Sequence, residues 1–319
     1  MEIVKTVKET LGSIKDRVEV ARRDARLDEI FSPKNAQLDN VREYRSESDK
    51  YRLIVTPFAT KKGCWNYTRG VVFEGRRKIA EVRRNYSAFE YAFIEGHKNG
   101  HDYLVCGEDY QGQTVIELDT GKRVDFVPHA IDAGHGFCWV KVTPSPDGTI
   151  LAVEGCIWAC PYEVLIVDFR NPMEPPWAEL HRESRYEEFL GWKDENTCSI
   201  GIEYEARKSD GKPENELTDE ELEEMDRLEA ESSYGDVWMT VKDKKVEWTR
   251  PSDMEVARDY ILTCLKWRKK DDIPLHPDMR DMIQKHLANL ETKERTQLIY
   301  EPEVKELLEW AVIDEVMDA

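Results

Sequence analysis

The sequence predicts a mainly β protein: a small, about four-bladed or open β-propeller-like repeat domain, flanked by an N-terminal helix and a C-terminal helical region. Three observations lead there. Short apolar runs alternate with Asn-Gly, Asp-Gly and Thr-Gly turns through the middle of the chain, the pattern of antiparallel strands joined by tight turns. One strand type recurs around Leu53, Leu104, Leu151 and Ile200, which lie 51, 47 and 49 residues apart. Apolar periodicity then changes from two to about 3.6 at both ends of the chain.

Residues 1–32 read as an amphipathic helix. Ile3, Val7, Leu11, Ile14, Val18, Ala21 and Ala25 recur at steps of three and four on a charged cylinder. The stripe is suited to docking on the chain's own core, and its heptad-like spacing also offers a seam for homo-oligomers. Pro33 ends the helix by disfavouring helical backbone in the residue before it.

Residues 48–250 carry the repeat. Each unit has a strand such as "YRLIV", "HDYLVCG", "TILAVEG" or "CSIGIEY". A partner follows it ("TRGVVFEG", "QTVIELDTG", "YEVLIVDFRNP", "DVWMTVKDK"), and then a third short strand ("KIAEV", "RVDFV", "WAEL", "KVEW"). With an apolar segment before three of the units, this gives four strands about every 49 residues, as in propeller blades. A twisted β-sandwich of repeated hairpins is the alternative. The fourth unit holds an acidic insertion, 207–233, in which Thr218 and Glu221 have capping-box spacing ahead of a short helix.

"SPDGTILAV" followed by "YEVLIVDF" resembles a blade of the WD40 and TolB-like propellers, in which Ser-Pro-Asp-Gly turns into the second strand and the third ends in Asp. The likeness is best over 136–180. The Gly-His and Trp-Asp pairs of WD40 repeats are not in register here. The central region also resembles an uncharacterised group of bacterial and phage proteins sharing "GCWNYTRG", "GEDYQGQTVIELDTG" and "ACPYE"-type segments. Neither resemblance implies an activity.

Residues 252–319 return to helix. Ser252 with Glu255 forms a second capping-box pattern, and Val256, Tyr260, Ile261 and Leu265 share one face. Helices are also expected over 278–290 and 302–317, with Pro302 in a first turn.

Composition narrows the function classes. Hydrophobic residues make up 40% of the chain, and its net charge is −19. Direct nucleic-acid binding needs a basic face to neutralise phosphates, so it is not expected, and neither is attachment to an anionic membrane. The sequence contains no run of 18 apolar residues, and the charged stretch 1–32 predicts neither a membrane span nor a secretory leader. Seven cysteines, an odd number, suit a reducing compartment, and the cytoplasm is the expected location.

Candidate chemistry is sparse. Cys138, Cys156 and Cys160 could join His135, or His97, His101 and Cys106 of the unit before, in a metal site, but no CxxC pair occurs and the spacing fits no usual zinc module. Packing inside the sheet is the favoured reading, with no metal and no cofactor. Hydrolase, zincin, NTPase and dinucleotide signatures are absent from the sequence. Aromatic and polar residues near the turns are more suggestive, because aromatic and Arg anchors dominate interaction surfaces. The candidate partner-binding residues are Trp65, Asn66, Tyr67, Arg69, His97, His101, Glu108, Asp109, Tyr110 and His135. They predict a non-enzymatic interaction protein of bacteria or phage that binds a protein partner through its blade mouth. One alternative is an enzyme or small-ligand sensor using His97, His101, Glu108, Asp109 and His135. Another is an acidic inhibitor or nucleic-acid mimic.

Overall fold

A computed structural model describes residues 28–63, 66–84, 86–107, 112–126, 137–157, 161–207, 212, 217–218, 220–221, 230–242, 245–270 and 273–311. The chain divides into two compact units, 1–184 and 185–319.

The first unit holds three four-stranded antiparallel sheets. Sheet one is β1 (Arg42–Arg45), β2 (Tyr51–Phe58), β3 (Tyr67–Glu74) and β4 (Arg77–Arg84). Sheet two is β5 (Tyr91–Ile94), β6 (Tyr103–Gly107), β7 (Gln113–Glu117) and β8 (Lys122–Phe126). Sheet three is β9 (Cys138–Pro144), β10 (Ile150–Cys156), β11 (Tyr162–Asp168) and β12 (Glu179–Glu183). In each sheet the spatial order is the sequence order, a simple meander.

Sheet two is covered on both faces. Leu104, Cys106 and Ile116 join Leu53, Val72 and Val82 of sheet one in one apolar cluster. Tyr103, Val105 and Val115 join Leu151, Val153 and Leu165 of sheet three in another. Successive side chains of a strand point to opposite faces, so β6 serves both clusters by simple alternation. Strands buried on both faces need apolar residues at nearly every position. β10 follows this rule, whereas β7 is buried throughout with Gln113, Thr114 and Glu117 among its five residues, and β8 is mostly exposed.

The second unit holds a fourth meander: β13 (Tyr186–Trp192), β14 (Thr197–Arg207), β15 (Ala230–Lys242) and β16 (Lys245–Thr249). Four helices follow: α1 (Asp253–Lys270), α2 (Pro277–Ala288), α3 (Thr292–Ile299) and α4 (Pro302–Trp310). They share a core of their own, including Ala257, Ile261 and Leu265 of α1, Ile283 and Leu287 of α2, Leu298 of α3 and Leu307 of α4. Lys193, in the turn before β14, pairs with Asp259 of α1. Among the described residues no helix is long and apolar enough to cross a membrane.

The fold is therefore mainly β, with four four-stranded sheets and a helical C-terminal region, as expected. Several details differ. Leu53, Leu104, Leu151 and Ile200 all lie buried in second strands, but they are not equivalent. The second strand starts at Tyr51, Tyr103, Ile150 and Thr197, which oppose Glu74, Glu117, Asp168 and Thr240 on the third strand. From those starts Leu104 and Leu151 are second residues, Leu53 is third and Ile200 fourth. The seam of α1 runs through Ala257 rather than Val256. Helix α3 was not foreseen. The ends of the acidic insertion belong to strands, since Arg207 pairs with Ala230. Of the helix expected over 1–32, residues 28–30 are helical, 31 is in a turn and 32 in a bend; residues 1–27, with the oligomer seam, lie outside the described residues, as do residues 312–317 of the last helix.

Candidate functional site

Trp65, Glu108, Asp109, Tyr110 and His135 lie outside the described residues. The other five candidates fall into two groups, set by the meander. In an up-and-down sheet, the turn before the second strand and the turn after it lie at opposite ends. His97 and His101 are in the turn that enters β6, beside Lys50 and Tyr51 at the start of β2. Asn66, Tyr67 and Arg69 lie at the other end of β2, where Tyr67 opposes Phe58. Eight residues at about 3.3 Å each put the groups roughly 23 Å apart. Counting strands along the sequence would have shown the separation.

The first group is built from turns stitched to one another. Glu95 accepts Ser46 Oγ at 3.0 Å and the Ser48 amide at 2.9 Å, with Ser48 Oγ as a further donor. Asp102 accepts Lys50 Nζ at 2.7 Å, the Tyr51 hydroxyl at 2.7 Å and the Gly96 amide at 2.9 Å. Burial pushes the Asp102 carboxyl up, but these three donors together outweigh it and hold it below the usual carboxylate range. Burial raises the Tyr51 phenol to about 12.

His97 is buried, and both ring nitrogens are used inside the fold. Nδ1 accepts the Asn99 amide at 3.1 Å, which leaves Nε2 to donate to the Phe169 carbonyl at 3.1 Å. The ring thus ties sheet two to the end of β11, a bracing role that accounts for its position.

His101 differs, being part-exposed. Its Nδ1 lies 2.6 Å from Asp119 Oδ2, and this bond lifts the imidazole above its usual pKa. For Asp119, burial acts upward, but His101 and backbone amides outweigh it and lower the carboxyl. Beside the pair is Glu117, a buried carboxylate that accepts Thr120 Oγ1 at 2.5 Å and the Tyr103 hydroxyl at 3.4 Å. Neither Glu117 nor Asp119 was among the sequence candidates. Their signal is the acidic end of β7, which the pairing Tyr103–Glu117 brings next to the β6 turn.

The second group borders a cleft of about 610 Å³. Its floor includes Val55, Pro57 and Phe89, and its walls carry Gln37, Asn40, Tyr44, Asn66 and Thr68. Gln37 Nε2 donates to Asn66 Oδ1 at 3.1 Å, and Thr68 Oγ1 to the Tyr86 carbonyl at 2.9 Å. Tyr67 packs edge-on against Phe31, whose ring meets Phe58 at 5.0 Å. The Arg69 guanidinium lies over the Phe58 ring at 4.9 Å, so these two candidates support the wall. At the rim Val41 is 41% exposed and the neighbouring Leu38 is 74% exposed.

Comparison with known proteins adds little beyond this geometry. No family model matches the chain. An uncharacterised protein of Acanthamoeba polyphaga mimivirus is 39% identical over 156 residues, covering 48% of this chain and 60% of that protein. The matched part is thus less than two thirds of the viral protein. Among solved structures, Kuenenia stuttgartiensis hydrazine synthase aligns with a TM-score of 0.32 at 13% identity, covering 65% of this chain and 64% of that one. At that score the alignment carries no argument.

Proposed function

We propose that the protein is a non-enzymatic interaction protein whose propeller-like blades present the cleft beside Asn66 to a protein partner. The blade reading is supported by the meander order of every sheet and by the two-faced burial of sheet two. The observation that carries the binding reading is the cleft itself. It combines apolar lining residues with amide and hydroxyl groups, as binding sites do; Val41 of its lining is 41% exposed, and Leu38, 74% exposed, lies in sequence between Gln37 and Asp39, which also line it.

A photo-crosslinking amino acid at position 38, in the full chain expressed in its native host, tests this. One discrete crosslinked protein is expected, weakened at least ten-fold by Asn66→Ala or Val41→Asp. If crosslinks arise only from probes within 207–233, the acidic-mimic reading replaces this one. The enzyme or sensor reading rests on the His101 end of the unit and would leave the cleft variants silent.

A further inference from the structure

Three side chains at the β6–β7 end of sheet two bring an imidazole and two carboxylates together. One ligand atom each from His101, Glu117 and Asp119 lies within 4.8 Å of the others. The Glu117 side chain is 6% exposed, and its cation, Lys122 Nζ, stands 3.6 Å away on a side chain that is 72% exposed. The carboxylate also takes two neutral donors, Thr120 Oγ1 and the Tyr103 hydroxyl. Asp119 adds a second negative charge to the same corner, so the two carboxylates are balanced only by a protonated His101 and a solvated lysine.

We propose that His101, Glu117 and Asp119 form a binding site for a divalent transition-metal cation, Zn2+ or Mn2+. The donor set fits. One imidazole nitrogen with two carboxylate oxygens suits borderline cations, whereas Mg2+ and Ca2+ prefer oxygen alone. Bonds of about 2.0–2.2 Å set ligand atoms roughly 3.0–3.4 Å apart, so His101 Nδ1 and Asp119 Oδ2, now at 2.6 Å, must open slightly while the cluster closes around the cation. The His101 and Asp119 side chains are 40% and 37% exposed and can rotate to do so. Glu117 is held in place: Thr120 Oγ1 and the Tyr103 hydroxyl donate to its two oxygens, and Asn99 Nδ2 donates to the Tyr103 oxygen at 2.8 Å. Such outer hydrogen bonds orient metal ligands. On binding, the cation replaces the proton shared by His101 and Asp119, and that proton passes to water. Three protein ligands leave coordination positions for water or an anionic ligand. The site lies at the opposite end of the strands from the cleft, so it stands or falls independently of the partner-binding proposal.

Calorimetric titration of the chelator-stripped full chain, with ZnCl2 and MnCl2 in separate arms and CaCl2 and MgCl2 as comparisons, tests this. One equivalent of Zn2+ or Mn2+ per chain is expected. His101→Ala and Asp119→Asn should each weaken binding more than ten-fold. Both replace part-exposed side chains, and melting curves of the metal-free variants establish that they fold. Bound Zn2+ should also protect His101, read by peptide mass spectrometry, from diethylpyrocarbonate. Binding that survives both substitutions, with the cysteines then the obvious ligands, would overturn the proposal. So would the absence of Zn2+ and Mn2+ binding at millimolar concentration.

Discussion

The Tyr51 hydroxyl, on the first residue of β2, donates to Asp102 Oδ2 in the turn of the neighbouring sheet at 2.7 Å. The same carboxylate takes Lys50 and the Gly96 amide, so together with Glu95 it organises the junction between sheets one and two. Asp102→Ala leaves several donors short of their acceptor and should cost about 1–3 kcal/mol, whereas Tyr51→Phe should cost about 1 kcal/mol. The Lys50 ion pair adds little, because that side chain is 44% exposed. Urea denaturation with unchanged slope checks both values. A fully stable Asp102→Ala would show that the junction holds without this carboxylate.

Asp147 gives a pH-dependent counterpart. It accepts Ser145 Oγ, the Thr149 amide and Thr149 Oγ1 at 2.7–3.0 Å, with Lys98 Nζ at 3.2 Å. Burial acts to raise its carboxyl, but these partners outweigh it and lower the pKa. A carboxyl whose pKa is lower folded than unfolded adds stability that is fully present above its unfolded value, about 4, and is lost as pH falls through the folded value. Asp147→Ala should therefore cost about 1–3 kcal/mol at pH 7, and the gap to the parent should narrow as the pH falls below the unfolded carboxyl value. A gap that stays constant with pH contradicts the assignment.

Gly148 and Gly75 separate two reasons for glycine. Both have left-handed backbone, with φ of +74° and +55°. A Cβ at Gly75 meets open space, but one at Gly148 would lie 2.7 Å from Ile94 Cγ2 and 2.8 Å from His97 Cδ2. Gly75→Ala should cost about 1 kcal/mol of backbone strain, and Gly148→Ala distinctly more. Equal melting shifts would mean that the His97 turn yields freely.

Cys138 and Cys156 face each other across β9 and β10, at 8% and 4% exposure. Gly155 beside them accommodates a bulge where a Cβ would come within 1.9 Å of the Cys138 carbonyl oxygen. A thiol reagent should label both slowly in the folded chain and rapidly in denaturant, with the half-buried Cys264 ahead of them. Rapid labelling of the pair would place them at an opening rather than inside the sheet. Cys160, the third of that sequence cluster, lies outside the described residues.

Turn and cap chemistry could be read closely from the sequence. Ser252 and Glu255 exchange the bonds their spacing predicts, and so do Thr218 and Glu221. These motifs act over three or four residues and need no knowledge of the rest of the fold. The register of the repeat was harder to read. Where a strand is buried on both faces, apolar residues run continuously, and a slip of one residue leaves no mark in the pattern. Residues 95–102 also form a longer turn than 46–50 or 145–149, so matching by spacing put Leu53 in line with Leu104. Helix α3 was hidden for another reason. It buries only Leu298 and Ile299, and its cap pairs Glu291 with Glu294 rather than using a serine or threonine. Glu117 and Asp119 went unnoticed because their neighbour His101 comes from a different strand end, and only pairing brings them together.

The meander order has a consequence for how such a chain changes over generations. Among the described residues, no strand of any sheet is borrowed from a distant part of the sequence. A tandem duplication of one sheet-length segment would supply four strands already able to pair with one another, together with both faces needed to sit between neighbours. Deleting a segment would remove a sheet without orphaning a strand elsewhere. Within the first unit sheet two packs on sheets one and three, and arrays built on nearest-neighbour interfaces tolerate such edits.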